Sequence, residues 1–108
     1  MKYYKLVVYV PSSDADKIRE VLAQTGAGHI GNYDNCTFSV KGTGRFRPLK
    51  GANPAVGTVG SLEQIEEERI ETIVRAEDLE EVVFQVRKAH PYEEPIVDSY
   101  ELQNVDSR

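Results

Sequence analysis

Residues 11–29, PSSDADKIREVLAQTGAGH, and residues 72–90, TIVRAEDLEEVVFQVRKAH, read as two versions of one pattern. A shift of 61 positions lays Ile18, Val21 and Leu22 on Leu79, Val82 and Val83. The same shift makes Ala15 and Ala76, Glu20 and Glu81, and Gln24 and Gln85 identical, and it superposes the only two histidines, His29 and His90. Ile18, Val21, Leu22 and Thr25 in one copy, and Leu79, Val82, Val83 and Val86 in the other, recur at i, i+3, i+4 and i+7, which is one face of an amphipathic helix. Ser13 with Asp16 three residues later resembles a capping box, and Gly26 and Gly28 supply a glycine stop. Pro91 ends the second helix.

Strand patterns flank both helices. Tyr4 to Val10 is a short run rich in Val and Tyr ended by Pro11, and Tyr33 to Val40 reads as its partner. In the second half Ile70 to Val74 and Ile96 to Leu102 fill the same places. Two βαβ units in series predict a single α+β domain over 1–108, a ferredoxin-like split βαβ plait. Its halves, 1–41 and 61–108, are joined by a loop over 42–60. Both helices then cover one face of a four-stranded antiparallel sheet and leave the other open, which invites self-association.

Composition excludes several classes. A chain of 108 residues with 40% hydrophobic and 29% charged residues suits one globular domain. A formal charge of -5 argues against general nucleic-acid binding, which needs a clustered cationic surface. One cysteine, Cys36, rules out an intrachain disulfide and fits a reducing compartment; it reads as a small strand residue. The apolar run before Pro11 is too short to span a membrane and lacks a signal layout, so a cytoplasmic location is expected.

Three segments carry candidate chemistry. GAGHIGNY (26–33) holds His29 between glycines that permit positive φ, suiting a helix-ending turn or a ligand contact. HPYEEP (90–95) places His90, Glu93 and Glu94 within five residues, ligand types that suit a divalent metal such as Zn or Mn; the competing reading is a stiff turn. The link GTGRFRPLKGANPAVGTVG (42–60) carries five glycines and two prolines, with Lys41, Arg45, Arg47 and Lys50 in or beside it. Such a loop offers an anion site, or is simply flexible with solvated cations. It is not a P-loop, because no G-K-[ST] follows its glycines. The acidic run from Glu63 to Glu71 reads as a solvated strand edge.

The plait restricts these options. Antiparallel helices put the two histidine turns at opposite ends of the domain, so one chain does not chelate a metal with both. A site built from His29, His90, Glu93 and Glu94 requires a neighbouring subunit. No G-x-S-x-G or triad-like context is present, so no complete catalytic set is visible.

GAGHIGNYDNCTFSVKGTGRFRPLKGANPAVGTVG (26–60), EEERIETIV (66–74) and AHPYEEPIVDSYEL (89–102) resemble the insert domain of the YqfO-type family, also called Nif-three-like or dinuclear-metal-centre hexameric proteins. The chain looks like a stand-alone version of that domain. The resemblance implies a plait akin to PII and CutA proteins, which assemble as trimers through their sheets, with the central loop placed where PII-type proteins contact partners and ligands. It does not carry over the family's two-metal site, whose ligands lie in a core domain not matched here. The characteristic insert residues that match are Gly28, His29, Asn32, Tyr33, His90, Pro91, Tyr92, Glu93 and Glu94. Together these readings point to an oligomeric, non-enzymatic binding or regulatory module. Its ligand, a small molecule, metal or protein, would meet Gly28, His29, Asn32, Tyr33, Arg45, Arg47 and Tyr92. The alternative is a metal-dependent hydrolase with an inter-subunit site.

Overall fold

A computed structural model describes residues 2–103 of the chain. Strand β1 (Tyr3–Pro11) leads through a 3-10 turn (Ser12–Asp14) into helix α1 (Ala15–Gln24), followed by β2 (Thr37–Phe46) and β3 (Glu63–Arg75). A second 3-10 turn (Ala76–Asp78) opens helix α2 (Leu79–Ala89), and β4 (Val97–Glu101) closes the sheet. The strand order is β2-β3-β1-β4 with every neighbouring pair antiparallel, which is the split βαβ plait the repeat predicts. Among the described residues no helix is long and apolar enough to cross a membrane.

Alternation along the strands decides which residues make the core. Leu6, Val8 and Val10 of β1 and Ile70 and Val74 of β3 face the helices and meet Ile18 and Leu22 of α1 and Val82 and Val86 of α2. The helical stripe quoted above is therefore the buried face of both helices. The opposite sheet face carries Tyr9, Phe38, Val40, Arg69 and Tyr100, and among the described residues no helix covers it.

The middle of the chain departs from expectation. Residues 30–36 do not form a strand: Ile30 and Tyr33 exchange backbone hydrogen bonds of 2.9 Å around a two-residue turn. Gly31 there has φ +57°, and Asn35 has φ 57°. These left-handed residues break an extended run, and β2 starts later, at Thr37. It then runs to Phe46, through Gly42 and Gly44, which had read as loop. The ladder is the reason: Gly42 pairs with Glu67 and Gly44 with Ile65 of β3, and the Glu67 carboxylate fills the space a Cβ on Gly44 would take. Cys36 lies one residue before β2.

Only the first part of the acidic run is an edge. Residues 63–66 pair with β2 alone, whereas from Glu67 onward β3 has β1 on one side and β2 on the other. There the carboxylates of Glu67, Glu68 and Glu71 are engaged. Glu68 is buried and accepts from Arg19 at 2.8 Å, and Arg19 also donates to Ser39 and Asp16. Asp16 is thereby a partner of Arg19, and neither Ser13 nor Asp16 caps α1. The central link also has structure of its own. Gly60 donates to the Pro48 carbonyl at 2.8 Å, closing a neck just beyond the β2–β3 ladder, and the Asn53 amide donates to Glu93 Oε1 at 2.9 Å. The loop of 47–62 is thus tied at its base and near its tip.

Candidate functional site

The structure separates the two histidine turns and gives them different roles. At the end of α1, Gly28 is buried with φ +80°, and its amide donates to Ile73 O at 2.8 Å. Its carbonyl accepts from Cys36 N at 3.0 Å, while Thr72 Oγ1 donates to Cys36 O. A Cβ on Gly28 would lie 2.8 Å from Cys36 O and 2.9 Å from Cys36 N. Gly28 is therefore a structural stitch with no room for a ligand. His29, Asn32 and Tyr33 are exposed on the turn that follows.

His90 is the reverse case. It is 7% exposed, ends α2 by donating its amide to Val86 O, and turns its ring under the following loop. Tyr92 N donates to Nδ1 at 3.1 Å, so Nδ1 carries the lone pair and Nε2 carries the proton, donated to Tyr9 O at 2.7 Å. Burial pushes the imidazole below its ordinary pKa, although the Tyr9 carbonyl, Glu67 and Asp14 pull the other way. The ring is thus neutral with both nitrogens spent. Lys5 lies opposite Ile73, where Gly28 is bound, and Tyr9 is where His90 is bound. Four strand residues, about 13 Å, separate these points along β1.

These contacts bear on the metal reading. Glu93 is partly committed to Asn53, His90 has no free nitrogen, and His29 sits at the far end of the sheet. Among the described residues no three His, Cys, Asp or Glu side chains converge. Within one chain the donors His29, His90, Glu93 and Glu94 do not fit a Zn or Mn site.

A different set does converge. Tyr92 packs on His90 (ring centroids 5.1 Å apart) and on Phe46 (5.8 Å), and its hydroxyl donates to Glu67 Oε2 at 2.9 Å. Burial and the Glu67 carboxylate hold the phenol above its ordinary pKa, so it stays a donor. Beside it the tied loop and the 91–96 turn border a half-open hollow of about 400 Å³, a size suited to a small molecule. Phe46, Pro48, Leu49, Ala52, Pro54 and Val56 form one wall; Tyr9, Tyr92 and Ile96 form the other. Arg45 and Arg47 line it from the β2 side, and Glu93 and Glu94 from the 91–96 turn. Neither arginine takes part in an ion pair among the described residues.

Of the residues singled out in the sequence, Arg45, Arg47, Tyr92, Glu93 and Glu94 meet here, and Gly28, His29, Asn32 and Tyr33 do not. Sequence reading missed Tyr9, Glu67, Phe46 and the apolar loop residues. Strand alternation could have placed Tyr9 and Glu67 on the open face, but nothing local shows that the loop returns over it.

Comparison with known proteins agrees with this architecture. No family model matches the chain. A protein of Halalkalibacterium halodurans named GTP cyclohydrolase 1 type 2 homolog is 54% identical over 101 residues, 94% of this chain and 27% of the relative. The protein of the same name from Mycobacterium tuberculosis is 45% identical over 98 residues, 91% of this chain and 26% of the relative. The chain spans about a quarter of the length of these relatives. Among solved structures, a Bacillus cereus protein related to NIF3 superposes with TM-score 0.82 at 47% identity, over 95% of this chain and 26% of the other. The periplasmic divalent cation tolerance protein CutA of Archaeoglobus fulgidus superposes with TM-score 0.67 at 18% identity, over 94% of this chain and 85% of the other, a likeness of fold alone.

Proposed function

The chain is homologous over nearly all its length to a quarter-length domain of the NIF3-related (YqfO-type) proteins, and from that premise we propose that it is a small-molecule-binding module. The observation that carries this reading is the cavity under the central loop. Its loop is held at Pro48–Gly60 and Asn53–Glu93, and its floor is fixed by the His90–Tyr92–Glu67 chain of hydrogen bonds. Rigid elements that present a few charged groups around an apolar hollow are the usual build of a ligand site. The cyclohydrolase name belongs to proteins about three and a half times as long and is not extended to this chain.

A fragment screen followed by thermal shift and ligand-observed NMR tests the reading. Ala55 lines the cavity, and Ala55→Trp fills it. We expect hits on the unaltered protein whose affinity falls at least tenfold in Ala55→Trp. Hits indifferent to that filling, or no hits, would overturn the reading.

We also propose that the module is a homo-oligomer, a trimer by its resemblance to PII and CutA proteins, working in the cytoplasm. Support comes from the uncovered sheet face, where Phe38 is 66%, Val40 49% and Tyr100 48% exposed. Phe38→Glu places a charge on the edge strand of that surface. Sedimentation should show the assembly reduced to monomers with the fold intact; an unchanged assembly would count against this face. Only such an assembly could bring His29 of one copy to carboxylates of another.

A further inference from the structure

We propose that the cavity takes a small zwitterion, a molecule whose positive and negative ends are separated by an apolar body. This rests on the binding reading above and names its ligand class. Five charged side chains line one hollow, yet they do not neutralise one another. Arg45 and Arg47 enter from β2 and its continuation, while Glu93 and Glu94 enter from the turn that leads into β4. β2 and β4 are opposite edges of the sheet, with two strands between them.

No arginine nitrogen comes within ion-pair distance of a carboxylate across this gap among the described residues. Two of the carboxylates have other work: Glu67 holds the Tyr92 hydroxyl, and Glu93 holds the Asn53 amide with one oxygen. What remains unpaired among the lining residues is Arg45 and Arg47 on the β2 side and Glu94, with the second Glu93 oxygen, on the other.

A ligand carrying only an anion would engage the arginines and leave the exposed Glu94 to water, and a simple cation would do the converse, so each makes only one of the two charge contacts. Between the charged sides the surface is apolar, made by Leu49, Pro54, Val56 and Ile96. A molecule with a carboxylate at one end, an ammonium at the other and hydrocarbon between meets all three zones. Its charge-assisted hydrogen bonds would form in a partly enclosed hollow, where they are stronger than in open water. The free ends of a short apolar peptide have this chemistry.

The probe is leucylphenylalanine, compared with its N-acetylated and its C-amidated forms, which keep the body and delete one charge each. Affinities are read from amide shifts of cavity residues in the full chain. The zwitterion should bind at least tenfold more tightly than either analogue. The double variant Arg45→Gln/Arg47→Gln should remove its advantage over the amidated form, and Glu94→Gln its advantage over the acetylated form. These side chains hold no ion pair, so the fold should survive, checked by the unperturbed spectrum. Equal binding of all three at the cavity would overturn the zwitterion while leaving the binding reading intact. Absence of any cavity shift with all three would also overturn it, and the fragment screen then decides separately whether the cavity binds anything.

Discussion

Replacing Gly28 with alanine is expected to cost about 3 kcal/mol of unfolding free energy, measured by urea denaturation. Two effects add. The residue sits at φ +80°, where a side chain is strained, and the new Cβ would press on the Cys36 backbone at 2.8–2.9 Å. Backbone cannot swing aside as a side-chain tip can, so the contact from the α1 turn to Ile73 must open. Gly31→Ala is the internal control. It too has a positive φ, +57°, but nothing lies within 4 Å of its Cβ, so the strain alone, about 1 kcal/mol, should appear. Equal losses at the two positions would show that close packing at Gly28 is not what selects glycine there.

His90→Leu should lower stability by about 3 kcal/mol, because it leaves two backbone groups without partners. Tyr9 O loses its donor and Tyr92 N loses its acceptor, and both residues line the cavity. Ligand affinity should therefore fall together with stability. The same residue sets a pH dependence. Burial lowers the folded-state pKa of His90 beneath its ordinary value of 6.5, so near that pH the unfolded chain binds more protons than the folded one. The stability contributed by His90 is complete above about pH 6.5 and is lost as pH falls toward the folded value. Protonation would also put a hydrogen on Nδ1, against the Tyr92 amide. Denaturation curves from pH 7.5 to pH 5 should slope downward for the unaltered chain and less so for His90→Leu; parallel slopes would contradict a buried neutral imidazole.

The repeat that brought both histidines to notice shows how far sequence reading reaches. Period located both helices, with a glycine stop for α1 and Pro91 for α2, and the order of elements gave the plait, because amphipathic faces must be buried and antiparallel strands leave few ways to do it. β4 was legible to within a residue at each end. Local signals failed where long-range contacts decide. Gly42 and Gly44 look like loop residues, yet β2 passes through them because they pair with Glu67 and Ile65 of β3. Glu67 and Glu68 look solvated, yet they serve Tyr92 and Arg19.

The paired histidines are equivalent in sequence and unlike in structure. His29 stands in solvent, whereas His90 is held between Tyr9 and Tyr92; Tyr92 is two residues away, but nothing in the sequence announces Tyr9. Arg45, Arg47, Tyr92, Glu93 and Glu94 were recognisable as chemistry-bearing residues. That they face one hollow depends on the Asn53–Glu93 tie, forty residues apart.

The account stands on the cavity beneath the central loop being where the protein meets its ligand. Amide chemical-shift mapping of the ¹⁵N-labelled chain, titrated with the tightest fragment hit, tests this most directly. Shifts should concentrate on Tyr9, Phe46, Arg47, Asn53, Val56 and Tyr92. Shifts gathered instead on the Ile30–Phe38 end of the sheet, with these residues unmoved, would contradict it.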